Sequence, residues 1–327
     1  MFKKSRGTRS VIALLIMLFS GAAHAAWKPE KPIEFIVATA AGSGVDTTAR
    51  TMQNILQTSM LVTVPIVVVN KPGGGATVGM QYLAQHDRDG HKLLIQTSTG
   101  LLTHAAGTLP LNYFEFAPIA SLISEPIIAL VRVESPIRNG GDFISRLKAD
   151  PAGASVALAT ARGNAFHMAA ALVARGTGVD PRKLLVVTYN SSGQAVNAAL
   201  GGHVDTVWAT AGNVRGLVDS GKLRVIGVAA EKRLGGAFST APTWKEQGAN
   251  SVVDLWRGVL GARNLGAAEI AYWDEVFARM VKTKAWRESL DQNLWVDSYA
   301  NSAATGAQHK KEFEVMRAVL KEIDIAK

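Results

Sequence analysis

The chain contains no cysteine. That absence removes thiol nucleophiles, zinc-thiolate sites, iron–sulfur clusters and disulfides together. Charge is also scarce: 19% of residues are charged against 48% hydrophobic, too apolar a balance for intrinsic disorder. The 31 glycines follow no three-residue period, which excludes collagen. No run of five Lys or Arg marks a nucleic-acid stripe, and no Gly-x-Ser-x-Gly supplies a hydrolase nucleophile elbow. With 327 residues the chain can bury a large core without a disulfide or metal, and its length suggests about two domains.

Long hydrophobic runs are missing too. The apolar stretch Val11 to Phe19 is shorter than the roughly 20 residues of a membrane-spanning helix. Lys3, Lys4, Arg6 and Arg9 precede it and Ala23-His24-Ala25 follows, the layout of a secretory signal peptide (residues 1–25) cleaved after Ala25; an uncleaved anchor is the alternative. Its loss takes away four positive charges and no negative ones, so the formal net charge of +9 becomes +5. A small, scattered basic excess is compatible with an anionic ligand.

Beyond residue 26, short β-branched or apolar segments alternate with helical patterns, and the joints between them are rich in Gly, Ser, Thr and Asn, which is the α/β grammar. Strands are expected at Ile33–Ala38, Pro65–Val69, Lys92–Gln96, Ile127–Val133, Ser155–Ala159, Leu184–Thr188, Val204–Trp208 and Leu223–Ala229. After Pro242 helical patterns dominate, around Ala267–Lys282 and Gln308–Lys321. The resulting division is a first lobe in 26–126, a second lobe in 127–231 and a return segment in 232–327, hinged at strand crossovers with the ligand cleft between lobes.

In open α/β sheets ligands sit beyond the carboxyl ends of strands, where helix amino termini present unpaired N–H groups and partial positive charge. Four joints fit: Ala40 to Asp46, Gly73 to Thr77, Thr160 to His167, and Tyr189 to Gln194. Any one of them alone reads equally as a tight turn; together on one two-lobed chain they point to ligand capture.

The residues at these joints also carry a resemblance. Trp27 to Ile33, Gly42-Ser43-Gly44-Val45-Asp46-Thr47-Thr48-Ala49-Arg50, Val69-Asn70-Lys71-Pro72-Gly73-Gly74-Gly75 and Asp89-Gly90-His91-Lys92-Leu93-Leu94 follow one another with the spacing of the substrate-binding receptors of tripartite tricarboxylate transporters, the Bug family. Gly163 to His167, Gly201-Gly202-His203-Val204-Asp205, Ser220 to Arg224 and Ala241 to Gly248 continue the match, so the chain resembles that family over nearly its whole mature length. The resemblance implies a two-lobed type II periplasmic-binding-protein fold. It also implies a non-enzymatic, cofactor-free, monomeric periplasmic receptor that hands a small carboxylate to a two-component membrane permease. A binding protein that presents the carboxylate to a membrane sensor is the alternative.

Carried over residue by residue, the implied first-lobe contacts are Ala41, Gly42, Ser43, Gly44 and Asp46, with Gly75, Thr97 and Ser98 beside them. The second lobe contributes Thr160, Gly163, Asn164, His167, Tyr189 and Asp205. Read from their chemistry, Gly42 to Gly44 offer backbone donors, whereas Asp46 would repel a carboxylate and either caps its helix and pairs with Arg50 or reaches a ligand amine or water. His167 is either a neutral donor toward the cleft or a packed helix residue, and Asp205 either a contact or a turn cap. Asn164 stands for the family's usual Ser or Thr, Asn190-Ser191 for Lys-Gly and Gln194 for Pro, and Ala262 to Ala267 replaces a Pro-x-Gly-Thr-Pro segment, which mark a divergent member. No Arg clamp is evident at the four joints, so recognition is expected to rest on backbone and neutral donors.

Other classes fit less well. Gly73 to Val78 fails the dinucleotide fingerprint because position 78 is Val where Gly is required. His86, Asp87, Asp89 and His91 could be grouped as metal ligands, but the same residues make an ordinary polar turn.

Overall fold

The computed structural model describes residues 27–159, 162–189 and 191–326. The signal-peptide segment and Thr160 lie outside the described residues.

The strands β1 (Ile33–Val37), β2 (Ile66–Asn70) and β3 (Lys92–Thr97) alternate with α1 (Gly44–Thr58), α2 (Thr77–Ala84) and α3 (Thr99–Ala105). Both β2 and β3 pair in parallel with β1. The buried runs of β1 and β3 place Phe35, Leu93 and Ile95 under α1, whose apolar face is Val45, Ala49, Met52, Ile55 and Leu56 at helical spacing. A second parallel set follows: β5 (Val156–Ala159), β6 (Val186–Tyr189) and β7 (Thr206–Thr210), with β6 and β7 flanking β5. α4 (Gly140–Ala149) precedes them, α5 (Ala165–Gly176) and α6 (Ser192–Leu200) stand between them, and α7 (Ala211–Asp219) leads into β8 (Leu223–Val228).

The two sets are joined by antiparallel strands. The 17-residue β4 (Phe116–Arg132) pairs with β9 (Asp254–Arg263) over Phe116 to Pro126 and with β7 over Ile127 to Leu130, while β8 covers its last five residues. The order β2-β1-β3-β9-β4-β7-β5-β6 is thus one curled sheet whose partners change at Pro126. The chain then returns through α8 (Ala267–Met280), α9 (Lys284–Asn293), β10 (Val296–Ala300), antiparallel to β4, and α10 (Ser302–Glu322).

Each expected strand forms. The first half of β4, all of β9 and β10, and α9 were not anticipated. β9 is disguised by two glycines and two arginines, and the glycine at 258 has a packing reason: a side chain there would collide with the Ala120 carbonyl of β4. β4 is disguised by Pro118, Pro126 and three register shifts. Among the described residues no helix is long and apolar enough to cross a membrane, and no group of three or more His, Asp or Glu is poised around a metal. Asp89 instead accepts the His91 N–H at 3.0 Å, closing a turn.

Candidate functional site

The joint after β1 is built by its own side chains. Ser43 caps α1, its Oγ accepting the Asp46 N–H at 3.3 Å. Asp46 reaches back, accepting the Gly42 N–H at 2.9 Å on Oδ2, the same oxygen that takes Arg50 Nε at 3.0 Å. Its Oδ1 accepts Asn70 Nδ2 at 3.0 Å, and Asn70 also donates to the Thr39 carbonyl, fastening the end of β2 to the end of β1. Asp46 is buried; burial alone would raise its pKa, but the donors from Arg50, Gly42 and Asn70 outweigh that and hold it at about 2. It is therefore an anion whose charge is already answered. Capping uses the N–H groups of Gly42 and Asp46 and leaves those of Gly44 and Val45 as the helix-start donors.

The glycines at these joints have distinct reasons. Gly42, at φ +76°, is exposed and has nothing within 4 Å of where a Cβ would stand, so it faces open space. A Cβ on Gly44 would strike Arg257 Nη2, one on Gly75 would lie 2.7 Å from Thr103 Oγ1, and one on Gly163 would lie 3.0 Å from Ile325. At three of the four expected ligand-facing glycines the Cβ position is thus taken by a protein neighbour, and at Gly42 it is open.

In the second lobe Asn164 caps α5, its Oδ1 accepting the His167 N–H at 3.0 Å while its Nδ2 donates to Ala159 O at 2.6 Å. The His167 ring reaches back as Asp46 does, Nδ1 accepting the Gly163 N–H at 2.9 Å. This acceptor role requires the tautomer with its proton on Nε2. Burial, with the charge of Arg162 added, lowers the His167 pKa to about 4. Ser191 caps α6 through Gln194 N–H, next to Tyr189 at the end of β6.

Thr97 and Ser98 end β3. Thr97 Oγ1 accepts the Thr99 N–H at 3.1 Å, and Ser98, fully buried, donates its N–H to Trp256 O while its Oγ has no partner among the described residues. Ala41, Gly42, Ser43, Gly44, Gly75, Thr97, Ser98, Gly163, Asn164 and Tyr189 all follow the carboxyl ends of their strands, the edge where open α/β sheets bind ligands. Asp205 does not belong with them. It precedes β7, at the strand's amino end, about 17 Å of strand away from that edge. There it accepts Ser155 N–H and Oγ–H at 2.9 and 2.8 Å and faces Arg146, joining the starts of β5 and β7. The expectation of a ligand contact is corrected to a structural one.

A cavity of about 220 Å³ opens between the lobes at the first joint, with Gly42, Gly44 and Thr47 on one wall and Gly212, Asn213 and Arg215 of α7 on the other. Glu125, Arg257 and Trp295 also line it. The α7 joint was overlooked in the sequence, although Thr210-Ala211-Gly212-Asn213 after a strand has the same small, polar signature as the other four. Arg257 was overlooked as well: it reaches the first joint from β9, far away in sequence. An arginine inside an apolar strand-like run is the signal that a buried partner exists.

Known proteins share this architecture. Residues 48–325 match the family model of the tripartite tricarboxylate transporter family receptor. BugT of Bordetella pertussis is 26% identical over 282 residues, 85% of this chain and 82% of its own. A ligand-free solute-binding protein of the same family from Polaromonas superposes with a TM-score of 0.74 at 25% identity, covering 90% of this chain and 99% of its own. MatC of Rhodopseudomonas palustris with bound malate superposes with a TM-score of 0.75 at 23% identity, covering 89% and 99%. The fold is therefore the two-lobed binding-protein fold, and the chain belongs to the solute-binding receptors of the tripartite tricarboxylate transporter family.

Proposed function

We propose that this receptor works in the periplasm, captures a small carboxylate between its lobes and delivers it to a two-component membrane permease. The observation that carries the carboxylate is the set of side-chain-capped helix starts that follow the carboxyl ends of strands in both halves of the sheet. α1 presents the amides of Gly44 and Val45 beside the open space at Gly42, and α5 and α6 present theirs from the other lobe. Asp46 does not oppose an anion there, because Arg50, Asn70 and Gly42 already compensate its charge. Ala41, Ser43, Thr97, Ser98, Thr160, Asn164 and Tyr189 complete the proposed contact set, while Asp46 and His167 hold its loops. The malate bound by MatC and the adipate bound by a second Rhodopseudomonas palustris neighbour favour short dicarboxylates. The signal peptide, cleaved to leave Ala26 first, and the division at 126/127 and 231/232 belong to the same proposal; the partner change of β4 at Pro126 supports the first boundary.

The test is a thermal-shift screen of the protein beginning at Ala26 against malate, adipate, other di- and tricarboxylates, amino acids and neutral sugars. Ligand at a hundredfold excess over Kd stabilises the folded state by about 2.7 kcal/mol, a shift of several degrees. A Kd in the micromolar range or tighter, about −8 kcal/mol, is expected for a carboxylate. A shift with a sugar and with no carboxylate would refute the proposal.

A further inference from the structure

The first joint is gripped by a residue of β9 that also lines the cavity there. Arg257 lies on β9, paired with Ile123 of β4, and its side chain is almost fully buried. Nη1 donates to the Gly44 carbonyl at 2.8 Å and to Thr48 Oγ1 at 2.7 Å, both in the first turn of α1. Nη2 pairs with Glu125 Oε2. Glu125 stands one residue before the point at which β4 exchanges its first-lobe partners for second-lobe ones. Its other oxygen accepts Trp295 Nε1 at 3.2 Å, and the Trp295 ring centre lies 5.6 Å from the guanidinium carbon. Gly44 is part of the same device, because any side chain at 44 would occupy the place of Arg257 Nη2.

We propose that Arg257 is a positioning residue that fixes the first turn of α1 to the lobe-crossing strands, so that the helix-start donors hold their place relative to the hinge. The inference deepens the carboxylate-receptor proposal and rests on it. Stability alone does not explain the pair. A buried Arg and Glu pay desolvation on both partners, and well-packed apolar residues of similar volume are often as stable or more so. Apolar residues cannot bond the α1 turn. Asp46 and Asn70 hold the opposite side of that turn, so its geometry is fixed from β2 and from β9 at once.

The test uses the double variant Glu125→Leu/Arg257→Met, which removes both charges together and leaves neither buried alone. The fold is expected to survive by circular dichroism, with hydrogen exchange of the amides at 46–48 accelerated at least about tenfold. The Kd for whichever of malate or adipate the wild type binds should weaken by about tenfold, since a loosened loop must be ordered on binding. Gly44→Ala, which expels Arg257 from its seat without touching either charge, should reproduce both effects and serves if the double variant does not fold. Wild-type exchange in either folded variant would overturn the proposal, and so would faster exchange with an unchanged Kd, which would leave Arg257 a purely structural residue. If the wild type binds no carboxylate, the receptor proposal fails by itself, while the exchange measurement still decides whether Arg257 holds the turn.

Discussion

The two joints that begin α1 and α5 solve one problem with opposite electrostatics. In each, a glycine at positive φ, Gly42 or Gly163, precedes a side-chain cap, Ser43 or Asn164, and the third helical residue reaches back to accept that glycine's N–H. It is a capping box displaced by one residue, since the reciprocal bond goes to the residue before the cap. In the first lobe the acceptor is Asp46, an anion held by Gly42, Arg50 and Asn70. In the second it is His167, a neutral ring whose Nδ1 accepts the Gly163 N–H. The first joint is locked by charge and the second by a proton's absence. The geometry of such a loop is thus separable from the charge that enforces it, and the two joints should answer differently to mutation and to acid.

The largest contrast lies in deleting the two acceptors. Asp46→Ala strands three donors and detaches β2's end from α1, so a loss of about 3 kcal/mol and several degrees of Tm is expected, together with loss of carboxylate binding. His167→Ala strands one donor and should cost about half as much, more through the cavity than the bond. Equal losses in calorimetry would show that the number of donors does not set the strength of the joint.

Acid should separate the joints next. The folded-state pKa of His167 is depressed to about 4 by burial and Arg162, and that of His309, stacked on Trp256, to about 4 by burial. The unfolded chain therefore binds these protons first. Their contribution is intact above about pH 6.5, is lost as pH falls from there toward 4, and is constant below. Each is worth on the order of 3 kcal/mol over that window. Asp46, with its pKa near 2, keeps its contribution through the same range and loses it only below about pH 4. Denaturant midpoints measured from pH 7 to 4 should fall, and His167→Gln should flatten the slope while Asp46→Asn leaves it unchanged.

Exchanging the chemistries sharpens this further. In His167→Asp a carboxylate takes the ring's place and can accept the Gly163 N–H as Asp46 accepts that of Gly42. The fold should persist and the His167 share of the acid slope vanish. Ligand affinity should drop several-fold, because the new charge has Arg162 nearby but no hydrogen-bonded counterparts to Arg50 and Asn70. Wild-type affinity by calorimetric titration would mean that the second joint lies farther from the ligand than proposed.

How much of this was legible follows from the range of each interaction. The expected strands are written within a few residues, so composition and spacing reveal them; the α1 cap is as local, but the sequence points to Asp46 for it where Ser43 holds that place and Asp46 reaches back to Gly42. The pairing of Asp46 with Arg50 was visible for the same reason. Asn70 on Asp46 and Arg257 on Gly44 span 24 and 213 residues, and only the sheet order brings them together. Asp205 entered through the family resemblance, with a structural role as its alternative, and its place just before a strand already puts it at the amino end, away from the ligand edge. β9 was hidden by the residues that make it useful, Gly258 for close approach to β4 and Arg257 for its grip on α1.

The smallest expected difference is between the caps themselves. Ser43→Ala removes an acceptor for the Asp46 N–H at 3.3 Å and a partner of Thr39 Oγ1, and should cost about 1 kcal/mol, the usual worth of an N-cap. Asn164→Ala removes a shorter cap bond and also the 2.6 Å donation to Ala159 O, which ties the helix start to the end of β5. It should cost a further 0.5 to 1 kcal/mol or so. Asn164→Ser, the residue type the family resemblance leads one to expect there, keeps the cap and loses only the tie, so its cost should fall between the wild type and Asn164→Ala. An Asn164→Ser protein as unstable as Asn164→Ala would place the weight of the second joint on the strand tie rather than the cap, and the likeness between the two joints would then stop at their geometry.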